Sequence, residues 1–161
     1  MQSQDILRRR VENQGFAGLS DDQLRELEPW LRFTPFLTGL FAALGTLGKF
    51  HLPLFALAAV SVLGVVLPRH PFDYLYNHFI RHFENSPPLP PSPGLRRFVY
   101  GLQAVVIAAA AWGFSMGYTR TAHTLGWAIA AEAAWLAAHQ ISIVSEGWVL
   151  IFERKGGRSA R

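Results

Sequence analysis

The feature that most limits the fold of this chain is a stretch of 21 residues, Phe98–Tyr118, without a single charged side chain. Gln103 is the only strongly polar residue within it. About 20 consecutive apolar residues form a helix long enough to cross the hydrocarbon core of a bilayer. The stretch therefore predicts a transmembrane helix.

Three further apolar stretches indicate a multi-pass membrane protein. They cover about residues 30–48, 52–67 and 124–150, and only 16% of the 161 residues are charged. An average soluble domain contains about 25% charged residues. We therefore expect an all-α integral membrane protein with four transmembrane helices, in a membrane domain of residues 30–152.

The first two apolar stretches are short for transmembrane helices. The 16 residues from Leu52 to Leu67 cover roughly 24 Å at about 1.5 Å per residue, whereas the hydrocarbon core is about 30 Å thick. A re-entrant hairpin, which enters and leaves the membrane on one side, is therefore an alternative to two full crossings.

The basic residues predict the orientation of these helices. Of the 15 Lys and Arg residues, 13 lie in the N-terminal segment, the loop between the second and third stretches, and the C-terminal tail. Only Lys49 and Arg120 lie in the other two turns. Because basic residues accumulate on the cytoplasmic side, we expect a bacterial inner-membrane protein with both termini in the cytoplasm. This arrangement suits an anionic lipid surface, so we expect the lipid bilayer as a partner and no nucleic acid.

Three segments lie outside the predicted membrane domain or connect its helices. Residues 1–29 are polar and predict short amphipathic helices, the second of which begins with a Ser20–Gln23 capping box and ends at Pro29. Residues 86–94 contain five prolines, which favour a stiff, extended segment that can reach across the cytoplasmic face to the third span and can also dock on a partner. Residues 153–161 form a basic cytoplasmic tail.

Residues 71–84 predict an amphipathic helix in the cytoplasmic interface of the membrane. Pro71 suits the first helical position, and Asp73 suits the first turn, where the helix dipole favours a carboxylate. Four aromatic residues then share one face, which we expect to contact the membrane or a partner: Phe72, Tyr76, Phe79 and Phe83. His78 and His82 have a spacing that can bind a metal, but because no third ligand accompanies them we predict no metal site.

Small residues recur at every fourth position in the last two predicted spans. Such ridges let helix backbones approach each other closely in a membrane. We therefore expect the third and fourth spans to pack against each other through two ridges: Ala109, Gly113 and Gly117 in the third, and Gly126, Ala130, Ala134 and Ala138 in the fourth.

A polar face is predicted on the fourth span. Glu132, His139 and Glu146 recur every seven residues and therefore share one side of a helix. We expect that side to lie away from the small-residue ridge and to be covered by something other than the third span. Glu132 is either a functional carboxylate, in proton relay or ligand binding, or a protonated group hydrogen-bonded to a neighbouring helix. We predict no cofactor; ligation of a tetrapyrrole by His139 is an alternative.

Several short motifs, in this order and spacing, give the chain a family resemblance. They are His70-Pro71-Phe72-Asp73, Tyr76-Asn77, Arg81, Pro88 to Pro91, and Arg97-Phe98. With them the chain resembles a family of small bacterial membrane proteins catalogued as domain of unknown function 4395, over roughly residues 31–152. The resemblance implies a membrane fold but no established activity.

The resemblance also implies a cysteine pattern that this chain lacks. Members of the family often carry Cys-x-x-Cys late in the final helix, followed by an aromatic residue. Here Ser142 and Ser145 stand in the similar stretch, before Trp148, and the sequence has no cysteine. A hydroxyl cannot cycle through a disulfide or present a thiolate, so a redox role is not expected here.

These features favour a function that depends on contacts rather than on catalysis. The sequence has no recognisable nucleophile motif, glycine-rich phosphate loop or paired carboxylates. We therefore expect a non-enzymatic accessory or scaffolding subunit of a larger membrane complex, with a respiratory or photosynthetic complex as the candidate assembly and other membrane subunits as partners. A small transporter or proton- or ion-handling protein that uses Glu132 and His139 is the alternative, and an intramembrane enzyme or redox partner is a third reading.

Overall fold

The computed structural model describes residues 8–12, 16, 20–84 and 86–139 of the chain. Within these residues every regular element is a helix, which confirms the all-α fold class. Glu146, the two serines of the Ser142–Ser145 stretch and the basic tail lie outside the described residues.

Four long helices form the body of the molecule: α3 (Phe33–Leu47), α4 (His51–Val66), α7 (Gly94–Ser115) and α8 (Thr119–His139). They are preceded by α1, which covers residues 8–12, and α2 (Asp21–Leu31). Between α4 and α7 lie α5 (Pro71–Leu75), a π-helical turn (Tyr76–Ile80) and α6 (Arg81–Glu84), which together we call the loop helix.

Helix α2 begins as predicted but ends later. The Ser20 hydroxyl accepts from the Gln23 amide at 3.2 Å, and the Gln23 side chain accepts from the Ser20 amide at 3.1 Å, which confirms the capping box. The prediction that Pro29 ends this helix is wrong, since α2 continues to Leu31. Proline removes one backbone donor, and that loss is offset here by the burial of Leu31 and by the Arg32–Glu28 ion pair across the last turn.

The four long helices close into a ring. Helix α4 packs mainly on α7 and α3 mainly on α8, while α7 also packs on α8 and α3 makes a smaller contact with α4. Their shared core contains Ala42, Leu54, Leu57, Ile107, Ala111 and Ile129. A second, smaller core forms where α2 meets the loop helix and contains Leu24, Leu27, Leu31, Tyr76 and Leu89.

The small-residue ridges are used differently from the prediction. Gly113 of α7 does meet α8, because a Cβ atom there would lie 3.1 Å from that of Ala122. Gly126 of α8 instead faces α3, since a Cβ atom there would lie 2.1 Å from the Thr46 hydroxyl. The expectation that both ridges join the third and fourth spans is therefore wrong for Gly126. Ala130 is buried, but four members of the ridges are exposed on the outer surface: Ala109, Gly117, Ala134 and Ala138.

One described helix is by itself long and apolar enough to cross a membrane, and this is α7. A second crossing by this measure requires α4 to be counted together with Pro71–Phe83, and these two parts are bent by 81° relative to each other. Helices α3 and α4 contain only 15 and 16 residues. Length and composition thus support a membrane helix in this chain.

Candidate functional site

Buried polar side chains concentrate where the loop helix meets the ends of α3, α4 and α7. Seven residues of this polar cluster are at most 8% exposed: Thr34, His70, Asp73, Asn77, Ser92, Arg96 and Tyr100. Burying a polar group is costly unless it is hydrogen-bonded or paired. This cluster is therefore the candidate functional site.

The start of the loop helix supplies the first contacts. His70 caps α5, and its Nδ1 accepts a hydrogen bond from the Phe72 amide at 3.3 Å. Pro71 occupies the first helical position, as the sequence predicts. In the first turn, an Asp73 carboxylate oxygen accepts from the Thr34 hydroxyl at 2.5 Å, which ties the loop helix to α3.

His70 is enclosed by α4 and α7. Its ring lies 4.5 Å from that of Tyr100, and Gly64 leaves room for it, because a Cβ atom at Gly64 would lie 2.3 Å from the imidazole. Burial lowers the pKa of His70 to about 4, against a raising effect of Asp73 and with a further lowering by Arg96. His70 is therefore neutral at pH 7, and since Nδ1 accepts, the proton is on Nε2.

Arg96 carries a positive charge into the cluster from the first turns of α7. Its guanidinium donates to the Leu31 carbonyl at 3.2 Å, at the C-terminus of α2, where backbone carbonyls carry partial negative charge. The same group lies over two aromatic rings, 5.1 Å from that of Phe16 and 5.8 Å from that of Tyr100. Arg96 thus joins α2 to α7.

The proline-rich segment, residues 86–94, is packed against the loop helix. The Asn77 side chain accepts from the Leu89 amide at 2.8 Å, and the Tyr76 hydroxyl donates to the Pro87 carbonyl at 3.4 Å. Leu89 is buried. The proline-rich segment therefore runs along the protein from the loop helix to α7.

Two arginines also hydrogen-bond the backbone of the proline-rich segment. Arg69 donates to the Leu89 carbonyl at 2.9 Å, and Arg97 donates to the Ser92 carbonyl at 3.1 Å. The Ser92 amide in turn donates to the Pro68 carbonyl at 2.8 Å. Arg69 and Arg97 therefore fix the backbone of this segment at Leu89 and Ser92.

The predicted aromatic face of residues 71–84 is split by the structure. Tyr76 is fully buried, 4.7 Å from the ring of Trp30, whereas Phe79 and Phe83 are 63% and 86% exposed. Phe72 is half-buried and stacks on Phe41 at 6.0 Å. The prediction of one shared contact face is wrong, because the π-helical turn that begins at Tyr76 has a wider spacing per turn and shifts the residues that follow, Phe79 and Phe83, relative to Tyr76.

Glu132 is covered by α7, and the expectation that something other than the third span covers it is therefore wrong. The Gln103 side-chain amide donates to the Glu132 carboxylate at 3.1 Å. His139 is exposed and stacks on Trp135 at 4.0 Å. Its backbone carbonyl accepts from Arg10, and that of Ala138 accepts from Arg32. Glu132 and His139 thus have separate surroundings.

The two histidines of the loop helix do not belong to a preformed metal-binding site. His78 and His82 are exposed, and His78 Nδ1 lies 2.9 Å from the Tyr74 carbonyl. In the described part of the chain, no three His, Asp or Glu side chains come together in a way that could hold a metal ion.

Sequence reasoning missed part of the polar cluster. It placed Asp73 correctly in the first turn of a helix, but it proposed no role for Thr34, Ser92 or Tyr100. The signal available was the order of the family motifs, since His70-Pro71-Phe72-Asp73, Tyr76-Asn77 and the residues before Phe98 all contribute to this one region.

Comparison with known proteins gives one match. The model of a family described as "Domain of unknown function (DUF4395)" matches residues 28–149, which include the whole polar cluster. No curated protein and no solved structure shows a significant match to the chain.

Proposed function

The chain belongs to the DUF4395 family, and we propose that this member is a four-span inner-membrane protein that serves as a non-enzymatic accessory or scaffolding subunit of a larger membrane complex. Helices α3, α4, α7 and α8 are the proposed spans, with both termini and the loop helix on the cytoplasmic side. A respiratory or photosynthetic complex remains the proposed kind of assembly.

The apolar character of the outer surface supports the proposal that four helices are embedded in the membrane. Each of the four long helices exposes large apolar side chains, and examples are Leu47, Leu52, Val66, Val105 and Trp127. A surface of this kind is unfavourable in water but matches lipid chains. The polar side chains of the cluster, by contrast, face inward.

The angle of the loop helix supports its proposed place at the interface. Because Pro71–Phe83 is bent by 81° from α4, the loop helix lies nearly parallel to the membrane plane if α4 crosses it. Phe79 and Phe83 are exposed on its surface. Aromatic side chains on such a helix insert at the boundary between headgroups and acyl chains.

The observation that carries the scaffolding role is an apolar groove between α3 and α8. Five small and three large apolar residues line it: Phe36, Gly39, Leu40, Ala43, Trp127, Ala130, Ala131 and Ala134. We propose that a transmembrane helix of a partner subunit occupies it, because small residues allow close backbone approach, which lipid chains do not require.

The pairing of Glu132 also supports a role in structure rather than in transport. A carboxylate that accepts from Gln103 on the neighbouring helix stabilises the α7–α8 contact. His139 lies apart from it and on the surface. The two residues on which the transporter alternative depends are therefore not joined in one site by the described contacts.

The test is purification of the full-length protein in mild detergent, with a bulky residue placed in the groove. Ala134→Leu should abolish copurification of the partner that is found with the wild type, because the larger side chain fills part of the groove. Ala109→Leu is the matched control, since Ala109 is equally small and exposed but lies on α7. A wild type that purifies as a monodisperse monomer, or equal partner recovery from both variants, would contradict the proposal.

A further inference from the structure

Three side-chain atoms in the polar cluster are buried without a hydrogen-bond partner among the described residues. They are His70 Nε2, Ser92 Oγ and the Tyr100 hydroxyl oxygen. The great majority of buried polar atoms in proteins are paired, because an unpaired one loses its water without compensation. Three such atoms in one region indicate that a further group contributes to the site.

Tyr100 carries one of these atoms and lies beside the residues that carry the other two. The His70 ring lies 4.5 Å from the Tyr100 ring, and the Tyr100 hydroxyl is beside the Ser92 hydroxyl and the Arg96 guanidinium, although none of these neighbours makes a well-aligned hydrogen bond with it. We call His70, Ser92, Arg96 and Tyr100 the donor pocket. Its residues come from three places: the start of the loop helix, the proline-rich segment and α7.

The donor pocket can donate from all four of its residues. His70 Nδ1 already accepts from the Phe72 amide, so Nε2 is the donor in the neutral ring. Arginine can only donate, and the serine and tyrosine hydroxyls can donate as well as accept. The nearby Asp73 carboxylate accepts from Thr34. A group with several acceptor oxygens is therefore the kind that can satisfy all four residues together.

The charge around the donor pocket favours an anionic group. Arg69 and Arg97 hydrogen-bond the backbone of the proline-rich segment at Leu89 and Ser92, in addition to Arg96 within the pocket. The first turn of α7 contains no acidic residue, and the N-terminus of a helix attracts anions. At Gly94, the first residue of α7, a Cβ atom would meet nothing within 4 Å, so the start of this helix is not covered there.

We infer that the donor pocket binds a phosphate group through His70 Nε2, Ser92 Oγ, Tyr100 and Arg96. The phosphate comes either from the headgroup of an anionic phospholipid or from free inorganic phosphate. This site is distinct from the groove of the proposed scaffolding role and is tested separately. The proposed topology places the pocket on the cytoplasmic side, at the end of α4 and the start of α7.

The experiment compares ligand-induced thermal shifts of the full-length, detergent-purified protein with native mass spectrometry of the same samples. The probes are phosphatidylglycerol, diacylglycerol with the same acyl chains, and inorganic phosphate. The test variant is Ser92→Ala with Tyr100→Phe, which removes two hydroxyls that have no partner and should leave the unliganded melting temperature at or above that of the wild type. The matched control is Ser115→Ala with Tyr118→Phe, two exposed residues at the other end of α7.

We expect phosphatidylglycerol to raise the melting temperature of the wild type and control and to be retained at one equivalent, while diacylglycerol has no effect. The test variant should need at least about 10-fold more ligand for the same shift, as expected when two hydrogen bonds are lost. An equal shift with inorganic phosphate would assign the source to free phosphate, and a shift with the phospholipid alone would assign it to lipid. The inference is overturned if no phosphate compound shifts the wild type, or if the test variant responds as the wild type does.

Discussion

At the scale of single residues, His70 shows how one side chain can determine the form of a whole loop. Its Nδ1 caps α5, its ring fills the space that Gly64 leaves open, and its Nε2 faces the donor pocket. The cap requires the neutral imidazole, because a charged ring would lose the acceptor at Nδ1, and burial beside Arg96 also disfavours the charged ring.

This predicts that the protein loses stability in mild acid. The pKa of His70 is about 4 in the folded protein, below the ordinary value of 6.5. Between these values the unfolded chain binds a proton and the folded chain does not, so the stabilising effect is complete above pH 6.5 and is lost as the pH falls toward 4. The loss attributable to His70 is about 3 kcal/mol. Thermal melts in detergent from pH 7 to pH 4 should show this decrease.

The control for this prediction is His70→Asn, which keeps a helix-capping side chain but cannot titrate. It should melt at a lower temperature than the wild type at pH 7 and should have a flatter pH profile. The same pH dependence in the variant and the wild type would assign the acid sensitivity to other groups.

At the scale of elements, the loop helix is where sequence and structure differ most. A period of 3.6 residues places Phe72, Tyr76, Phe79 and Phe83 on one face, but the π-helical turn widens the spacing after Leu75. Tyr76 packs in the core with α2, whereas Phe79 and Phe83, which come later in the chain, are exposed. A regular helical period contains no information about such a turn, so the sequence predicts the helix but not the division of its aromatic residues.

The loop helix leads to a prediction about lipid contact. Spin labels introduced by Phe79→Cys and Phe83→Cys should be accessible to oxygen, which dissolves in lipid, and protected from a water-soluble nickel chelate, because these side chains insert at the interface. A label introduced by His82→Cys should show the opposite behaviour. Electron paramagnetic resonance in liposomes measures both accessibilities.

These three positions are exposed, so the labels should not disturb the core. Equal access of the nickel chelate to Phe79, Phe83 and His82 would place the loop helix in water and would contradict the interfacial assignment. The sequence contains no cysteine that could compete for the label.

At the scale of the whole molecule, the boundaries of the long helices follow closely from apolar stretches, but their neighbours do not. Hydropathy predicts spans over about 30–48 and 98–118, and the helices run over 33–47 and 94–115, so that the helix with the longest uncharged stretch begins four residues earlier, before Arg96 and Arg97. Which helix faces meet depends on the tertiary arrangement, a closed ring in which each of the four long helices packs on two of the others. Gly126 therefore faces Thr46 rather than α7, and Glu132 faces Gln103. A single sequence cannot distinguish these pairings, since both are compatible with the same spacing.

The whole molecule also allows a direct test of topology. We expect His51→Cys and Arg120→Cys to react with an impermeant maleimide in intact spheroplasts, because they flank the two turns predicted on the outer side. His82→Cys should react only after the membrane is permeabilised. Labelling is measured by the mass shift of the purified protein.

This experiment distinguishes four crossings from the re-entrant alternative. Helices α3 and α4 have only 15 and 16 residues, and a hairpin that returns to the cytoplasmic side would leave His51→Cys unlabelled from outside. Arg120→Cys would still be labelled in that case, because α7 is long enough to cross alone.

The pairing of α3 with α8 has a consequence for biogenesis. The first long helix emerges from the ribosome well before its main partner, because 71 residues separate Leu47 from Thr119. At about 5–20 residues per second, synthesis of this interval takes roughly 4–14 s. During this time the close-packing side of α3, with Gly39 and Thr46, has no native helix to cover it. With α3 as a membrane span, as proposed, we expect the insertion machinery or a membrane chaperone to shield that side until α8 has been made, and only then can the ring close.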